Sequence, residues 1–428
     1  MLVLESRCSV MHERHLSPGG GMMATPSVSR GASSGLILLL GAAVFLNYVD
    51  RGAVGIAAPL MKSELSLTAT QFGLVASAFF WVYAPVQLIV GWLVDRYSVY
   101  RLMAAGLLLW AVATLLMGFA GGFLSLLLLR IFLGMGETIA FPGGSKIITR
   151  HVPAEKRGMA NAAMALGIAL GPAAGTLAGG LILASFGWRE IFFAFGIVTL
   201  LWLAPWHFTT RDLDAGKGGG ETKVRIGTLL AKWPLWSMSI AHIASNYVFY
   251  FLLAWLPLYL TKSRGLSITE MTFLATLGYA VQAIAAFSFG AISDRWTRSG
   301  RSEGAVRRAM MVGGQIVAGL AVLGLIYADS SVEIGVLLCV AGAATGALSL
   351  NTYAVAQMFA GHRAAGTWVG AQNAIGNLSG IFGPIVTGII VDAVGYNAAF
   401  IVTAVVALLG GVWWIVGVPA IRQVNWTD

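Results

Sequence analysis

Charge is scarce in this chain. Only 11% of its 428 residues are Asp, Glu, Lys or Arg, where a water-soluble domain carries about a quarter. Hydrophobic residues make up 57%, which excludes a fold bathed in water on every side. Cysteine is nearly absent. Cys8 lies in a polar N-terminal tail and Cys339 in a long apolar run, so no disulfide framework is expected. Short strands alternating apolar and polar residues are also missing, which argues against a membrane barrel. No P-loop, His-Glu-x-x-His or Gly-x-Ser-x-Gly stands at a membrane face, so neither ATP-driven pumping nor hydrolysis has a candidate site. We therefore expect a protein that is not an enzyme, with no cofactor and no metal.

What the chain does have is apolar stretches of about 20 residues, each able to cross about 30 Å of hydrocarbon as a helix. Helices satisfy their own backbone polar groups there. The pattern predicts spans at 34–60, 69–94, 102–120, 123–149, 157–184, 188–208, 233–260, 268–293, 307–328, 333–359, 364–391 and 396–419. The fold class is thus an all-α membrane protein with twelve transmembrane helices.

The charges that remain are unevenly placed. Connections after even-numbered spans carry Arg96 and Arg101, then Arg150, Lys156 and Arg157, then a central group from Arg211 to Lys232, then Arg295 to Arg308, and Arg363. Odd connections hold only Lys62, Arg189, Lys262 and Arg264. The positive-inside bias puts both termini and the even loops in the cytoplasm, in an inner or plasma membrane. It also accounts for most of the net charge of +9, so nucleic acid is not an expected partner. The tail has no apolar core and is not a cleaved signal peptide. Met11, Met22 and Met23 leave open a later start than Met1.

One long polar stretch, holding Gly218-Gly219-Gly220, divides the chain. It predicts a cytoplasmic N-terminal tail at 1–33, expected to be disordered, and a six-helix bundle at 34–208. A flexible cytoplasmic linker at 209–232, a second bundle at 233–420 and a cytoplasmic tail at 421–428 follow. The halves repeat. Gly91-Trp-Leu-Val-Asp95-Arg96 after span 2 is echoed by Gly290-Ala-Ile-Ser-Asp294-Arg295 after span 8, and Gly171-Pro172 in span 5 by Gly383-Pro384 in span 11. Two pseudo-symmetric six-helix bundles form the parallel-repeat plan of a rocking transporter.

The loop GWLVDRYSVYR, with Asp95, Arg96 and Arg101, and its weaker copy after span 8 resemble the signature loop of the major facilitator superfamily. A narrower resemblance is to the anion:cation symporter family, which includes hexuronate and sugar-acid transporters and sialin. It rests on Asn47-Tyr48-Val49-Asp50-Arg51, on Arg130-x6-Glu137 followed by Ala140-Phe141-Pro142, and on Gly376-Asn377-Leu378-x-Gly380-Ile381. The resemblance covers residues 34–420. It implies carriage of organic anions, in bacterial members often with protons.

Ionisable groups inside a span are costly and usually functional. Here they cluster in the first half: Asp50 and Arg51 in span 1, Arg130 and Glu137 in span 4, and Lys146 near its end. Arg130 and Glu137 stand two turns apart on one helix face, while Asp50 and Arg51 point about 100° apart. We expect Arg51 to grip a substrate carboxylate, a task its planar fork suits. Asp50 and Glu137 are expected to take and release protons, with Arg130 pairing alternately with one of them. The resemblance implies the same roles. The competing reading is a static ion network that fixes helix packing.

Asp95 with Arg96 and Arg101, and Asp294 with Arg295, are expected to latch the even-loop face shut by pairing with helix ends of the other half. Tyr48, Tyr83 and Gln87, then Tyr353, Asn373 and Asn377, are the polar candidates for the cavity wall. Each alone is as well explained by an interhelical hydrogen bond. His242 is read as a packed core histidine. Gly167, Gly171, Gly175 and Gly179 form a small-residue stripe on span 5 for close packing. Together these predict a monomeric secondary transporter in a lipid bilayer. It is expected to import a small organic anion, such as a hexonate or hexuronate, by proton symport through alternating access. The alternative is a drug or metabolite efflux antiporter on the same fold.

Overall fold

The structure is a computed structural model that describes residues 30–152, 154–211, 213 and 226–426. The expected N-terminal tail through residue 29, residues 212 and 214–225 of the expected linker, and the side chain of Asp95 lie outside the described residues. Among the described residues there are 12 helices long and apolar enough to cross a membrane, and no strand. They run Ser34–Glu64, Ala69–Gln87, Val99–Met117, Phe123–His151, Met159–Ser185, Trp188–Thr210, Trp233–Ser263, Ile268–Arg298, Glu303–Gly324, Ser331–Gly361, Ala364–Ala393 and Tyr396–Val416. The helix of span 2 itself continues to Arg96.

Local chemistry starts several of these helices. Thr68 with Gln71, Ser267 with Glu270 and Ser330 with Glu333 form capping boxes at the first turns of spans 2, 8 and 10. All three sit on the face of the odd connections. Within the first half, span 1 packs along span 5, and span 3 along spans 4 and 6. The glycine stripe explains the first contact. A Cβ on Gly167 would strike the backbone of Gly41 and Phe45, and one on Gly175 the backbone of Val49. The helices approach that closely because no side chain intervenes.

Two spans expected to be continuous are broken. Span 4 is two helices, Phe123–Glu137 and Ala140–His151. Pro142 supplies the cause, since it has no N–H for the carbonyl of Thr138 and its ring crowds that carbonyl. Beside it, Thr138 Oγ1 donates back to Gly134 O at 2.7 Å. Span 11 stops at Gly376 and resumes at Leu378. Spans 10 and 11 are separated by Gly361, whose φ of 61° suits glycine. The segment after span 12 is tied back to the second half through residue 426: Val424 N donates to Phe359 O at 2.8 Å, and Trp426 Nε1 to Ala360 O at 2.9 Å.

The halves meet chiefly toward the odd face. There Gly55 abuts the carbonyl of Leu253, Gly73 that of Pro384, and Gly180 the side chain of Thr272. On the other side, Gly366 and Gly370 of span 11 stand in open space.

Candidate functional site

The breaks in spans 4 and 11 deliver Glu137 and Asn377 to the middle of the molecule, one from each half. Span 1 supplies Arg51 opposite Glu137. Arg51 Nε donates to Glu137 Oε2 at 3.1 Å, and both side chains are buried. The guanidinium is also walled by aromatic rings. Its carbon lies 4.9, 5.1 and 4.8 Å from the ring centres of Tyr48, Phe79 and Tyr83. Such contacts stabilise a cation that has left water.

Arg130 is held by backbone in this conformation. Its Nε and Nη2 donate to the carbonyls of Val75 and Ala76, each at 3.3 Å. Its carbon lies 5.1 Å from the Phe79 ring. In this conformation Glu137 is therefore the partner of Arg51, and Arg130 is held by the backbone of span 2. Asp50 points away from Arg51, as adjacent helical positions require. It accepts from Trp110 Nε1 of span 3 and, at 3.5 Å, from Thr199 Oγ1 of span 6. The four charges thus occupy three settings rather than one closed ring.

Between the halves lies a cavity of about 30 Å³, room for about one water molecule. Arg51, Phe79, Phe80 and Arg130 line it from the first half, and Tyr250, Leu253 and Pro384 from the second. Tyr250 is the residue the sequence reading missed. Its hydroxyl donates to Asn377 Oδ1 at 2.6 Å, and its ring centre is 4.6 Å from that of Phe80. A signal for it exists. Asn246-Tyr-Val-Phe-Tyr250 in span 7 has the same relation to Asn47-Tyr-Val-Asp-Arg51 as Gly290 has to Gly91. Tyr250 is therefore the repeat counterpart of Arg51.

The second half contributes only neutral groups here. Tyr353 Oη donates to Asn373 Oδ1 at 3.2 Å, and Asn377 Nδ2 to Asn373 O at 2.8 Å. Tyr48 and Gln87 are half-buried and Tyr83 fully buried. His242 is buried with its ring edge-on to Tyr353 at 6.0 Å. Arg96, Arg101, Asp294 and Arg295 are exposed at the even face. The expected latches concern the conformation in which that face is closed.

A site lined by charged groups from the first half and neutral ones from the second, carried on twelve spans with an internal repeat, describes one known architecture. The family model of the Major Facilitator Superfamily matches residues 40–303 and 265–425. The chain belongs to the Major Facilitator Superfamily. Relatives of this superfamily member include probable anion transporter 3, chloroplastic, of Arabidopsis thaliana. It is 30% identical over 440 residues, covering 96% of this chain and 84% of that one. The hexuronate transporter of Bacillus subtilis is 29% identical over 410 residues, covering 90% and 96%. The probable galactarate/D-glucarate transporter of the same organism is 28% identical, covering 91% and 92%. A bacterial homolog of the human lysosomal transporter Spinster has the same fold, with a TM-score of 0.80 at 21% identity over 91% of this chain and 97% of that one. This superfamily member is therefore a multi-pass membrane transporter whose relatives carry anions.

Proposed function

We propose that the protein imports an organic anion of the sugar-acid class, a hexonate or hexuronate, with protons by alternating access. The observation that carries this reading is Arg51. It lines the cavity between the halves, stacked among three aromatic rings, with a carboxylate of its own chain as counter-ion. A substrate carboxylate competes with Glu137 for that guanidinium. Once displaced, Glu137 is a buried carboxylate without its cation, and it neutralises by taking a proton. Anion and proton then occupy the protein together, which is the requirement for symport. Asp50, held by neutral donors only, is the second proton carrier, and Arg130 tunes both carboxylates.

The neutral wall of Tyr250, Tyr353, Asn373 and Asn377 suits the hydroxyls of a polyhydroxylated acid. The cavity in this conformation is far smaller than such an acid, so binding requires the halves to separate. The lysine and arginine distribution supports an inner-membrane protein with even loops and both termini cytoplasmic, and a monomer is part of the same proposal. The division into bundles at 34–208 and 233–420 belongs to the same proposal, with Asp95, Arg96, Arg101, Asp294 and Arg295 as the latch of the cytoplasmic face.

The test is external pH in weakly buffered, de-energised cells, recorded while hexonates, hexuronates and small carboxylates are added in turn. The expected result is alkalinisation with one class of acid, lost in Asp50→Asn. Absence of any pH change in cells that demonstrably contain the protein would sink proton import and favour efflux or sodium coupling.

A further inference from the structure

On the odd face one carboxylate ties the two halves together. Asp392, at the end of span 11, reaches across to the start of span 2. Its Oδ1 accepts from the backbone N–H of Ala69 at 2.9 Å. Its Oδ2 accepts from the N–H of Thr70 at 2.7 Å and from Thr70 Oγ1 at 2.6 Å. The carboxylate therefore covers N–H groups that a helix start leaves without intrahelical partners, at the positive end of the helix dipole. Asp392 does so from the opposite half of the molecule.

The surrounding seam is built for this reach. A Cβ on Gly388 would strike the carbonyl of Ala69 and the Cα of Thr70, and one on Gly73 the carbonyl of Pro384. Glycine on both strips lets the two backbones meet, and Asp392 closes the end of the line.

The internal repeat supplies the comparison. The second seam joins spans 5 and 8. Aligning Gly171-Pro172 with Gly383-Pro384 puts Gly180 where Asp392 stands, and aligning the signature loops puts Thr272 where Gly73 stands. Gly180 and Thr272 do touch, but by packing alone. Among the described residues, one of the two seams carries a charged tie and the other none. From this asymmetry we infer that Asp392 is the positioning residue that latches the odd face closed, and that its release from span 2 is required before that face opens. It would act there as Asp95 and Asp294 are proposed to act on the opposite face.

The inference rests on the alternating-access reading, but its test needs no substrate, so a wrong substrate class or coupling ion leaves the outcome unchanged. Phe119 and Tyr327 are exposed in odd connections of the two halves and lie outside the seam. Nitroxide labels at Phe119→Cys and Tyr327→Cys, with Cys8 and Cys339 replaced by serine, report the separation of the halves in liposomes by pulsed electron double resonance. Asp392→Ala should raise the ratio of long to short distances at least tenfold. Thr70→Val, which removes only the hydroxyl contact, should raise it by a smaller factor and guards against a folding defect in the first variant. Unchanged distances in both variants overturn the inference, and so does loss of transport without a distance change, which marks Asp392 as merely structural.

Discussion

At the scale of single residues, the proposed site turns on how its charges are held. Arg51 is fixed by a carboxylate on one edge and three rings around it. A lysine keeps the charge but offers neither a flat face for the rings nor a two-pronged donor. Arg51→Lys should raise the KM for uptake at least about tenfold, or about 1.4 kcal/mol, with unchanged amounts of protein in the membrane. Asp50→Asn is a gentler change, because asparagine can still accept from Trp110 and Thr199. It should abolish accumulation against a gradient while sparing exchange of labelled for unlabelled substrate. If that variant still accumulates substrate, Asp50 is a packing group and not a proton carrier. These residues were legible because a charge in an apolar run stands out. Tyr250 was not, since a neutral aromatic inside a span looks like core until the repeat is traced through it. The partners of Asp50 lie 60 and 149 residues away, and nothing in the local pattern announces them.

At the scale of elements, apolar length located the spans well, and helix ends moved by a few residues. The apolar run of span 3 covers 102–120, for instance, where the helix is Val99–Met117. Length says nothing of interruptions within a span. Pro142 could have revealed the break in span 4, because its effect falls on the carbonyl four residues earlier. The break at Asn377 has no such marker; there the side chain bonds Tyr250 of span 7 and the carbonyl of Asn373. If the break in span 4 places Glu137 against Arg51, mending it should disturb transport more than stability. Pro142→Ala restores a donor for Thr138 O and removes the ring clash, a change of up to about 3 kcal/mol in favour of straight helix. We expect turnover to fall at least severalfold while the melting temperature holds or rises. A lower melting temperature with normal turnover would detach the kink from function.

At the scale of the whole molecule, the two halves must be able both to meet and to part. The structure shows how they meet, through glycines facing backbone on span 1 against span 7 and span 2 against span 11. Backbone facing backbone cannot yield as a long side chain can, so added bulk there must be absorbed by separating the halves. A leucine at Gly73 would drive its Cβ into the carbonyl of Pro384, on a helix already fixed by its own packing. The fold within each half has no reason to change, because the strained contact lies between halves. Gly73→Leu should therefore give a folded protein that cannot close its odd face. Purified and incorporated into liposomes, it should lose at least about nine-tenths of its transport rate. Substrate should still stabilise it against heat, because Arg51 and the rings around it are untouched. Gly121→Leu serves as the control: that residue sits in a connection with nothing within 4 Å of its Cβ position, and its transport should match the parent protein. Normal transport by Gly73→Leu would mean that translocation proceeds without the halves sealing here.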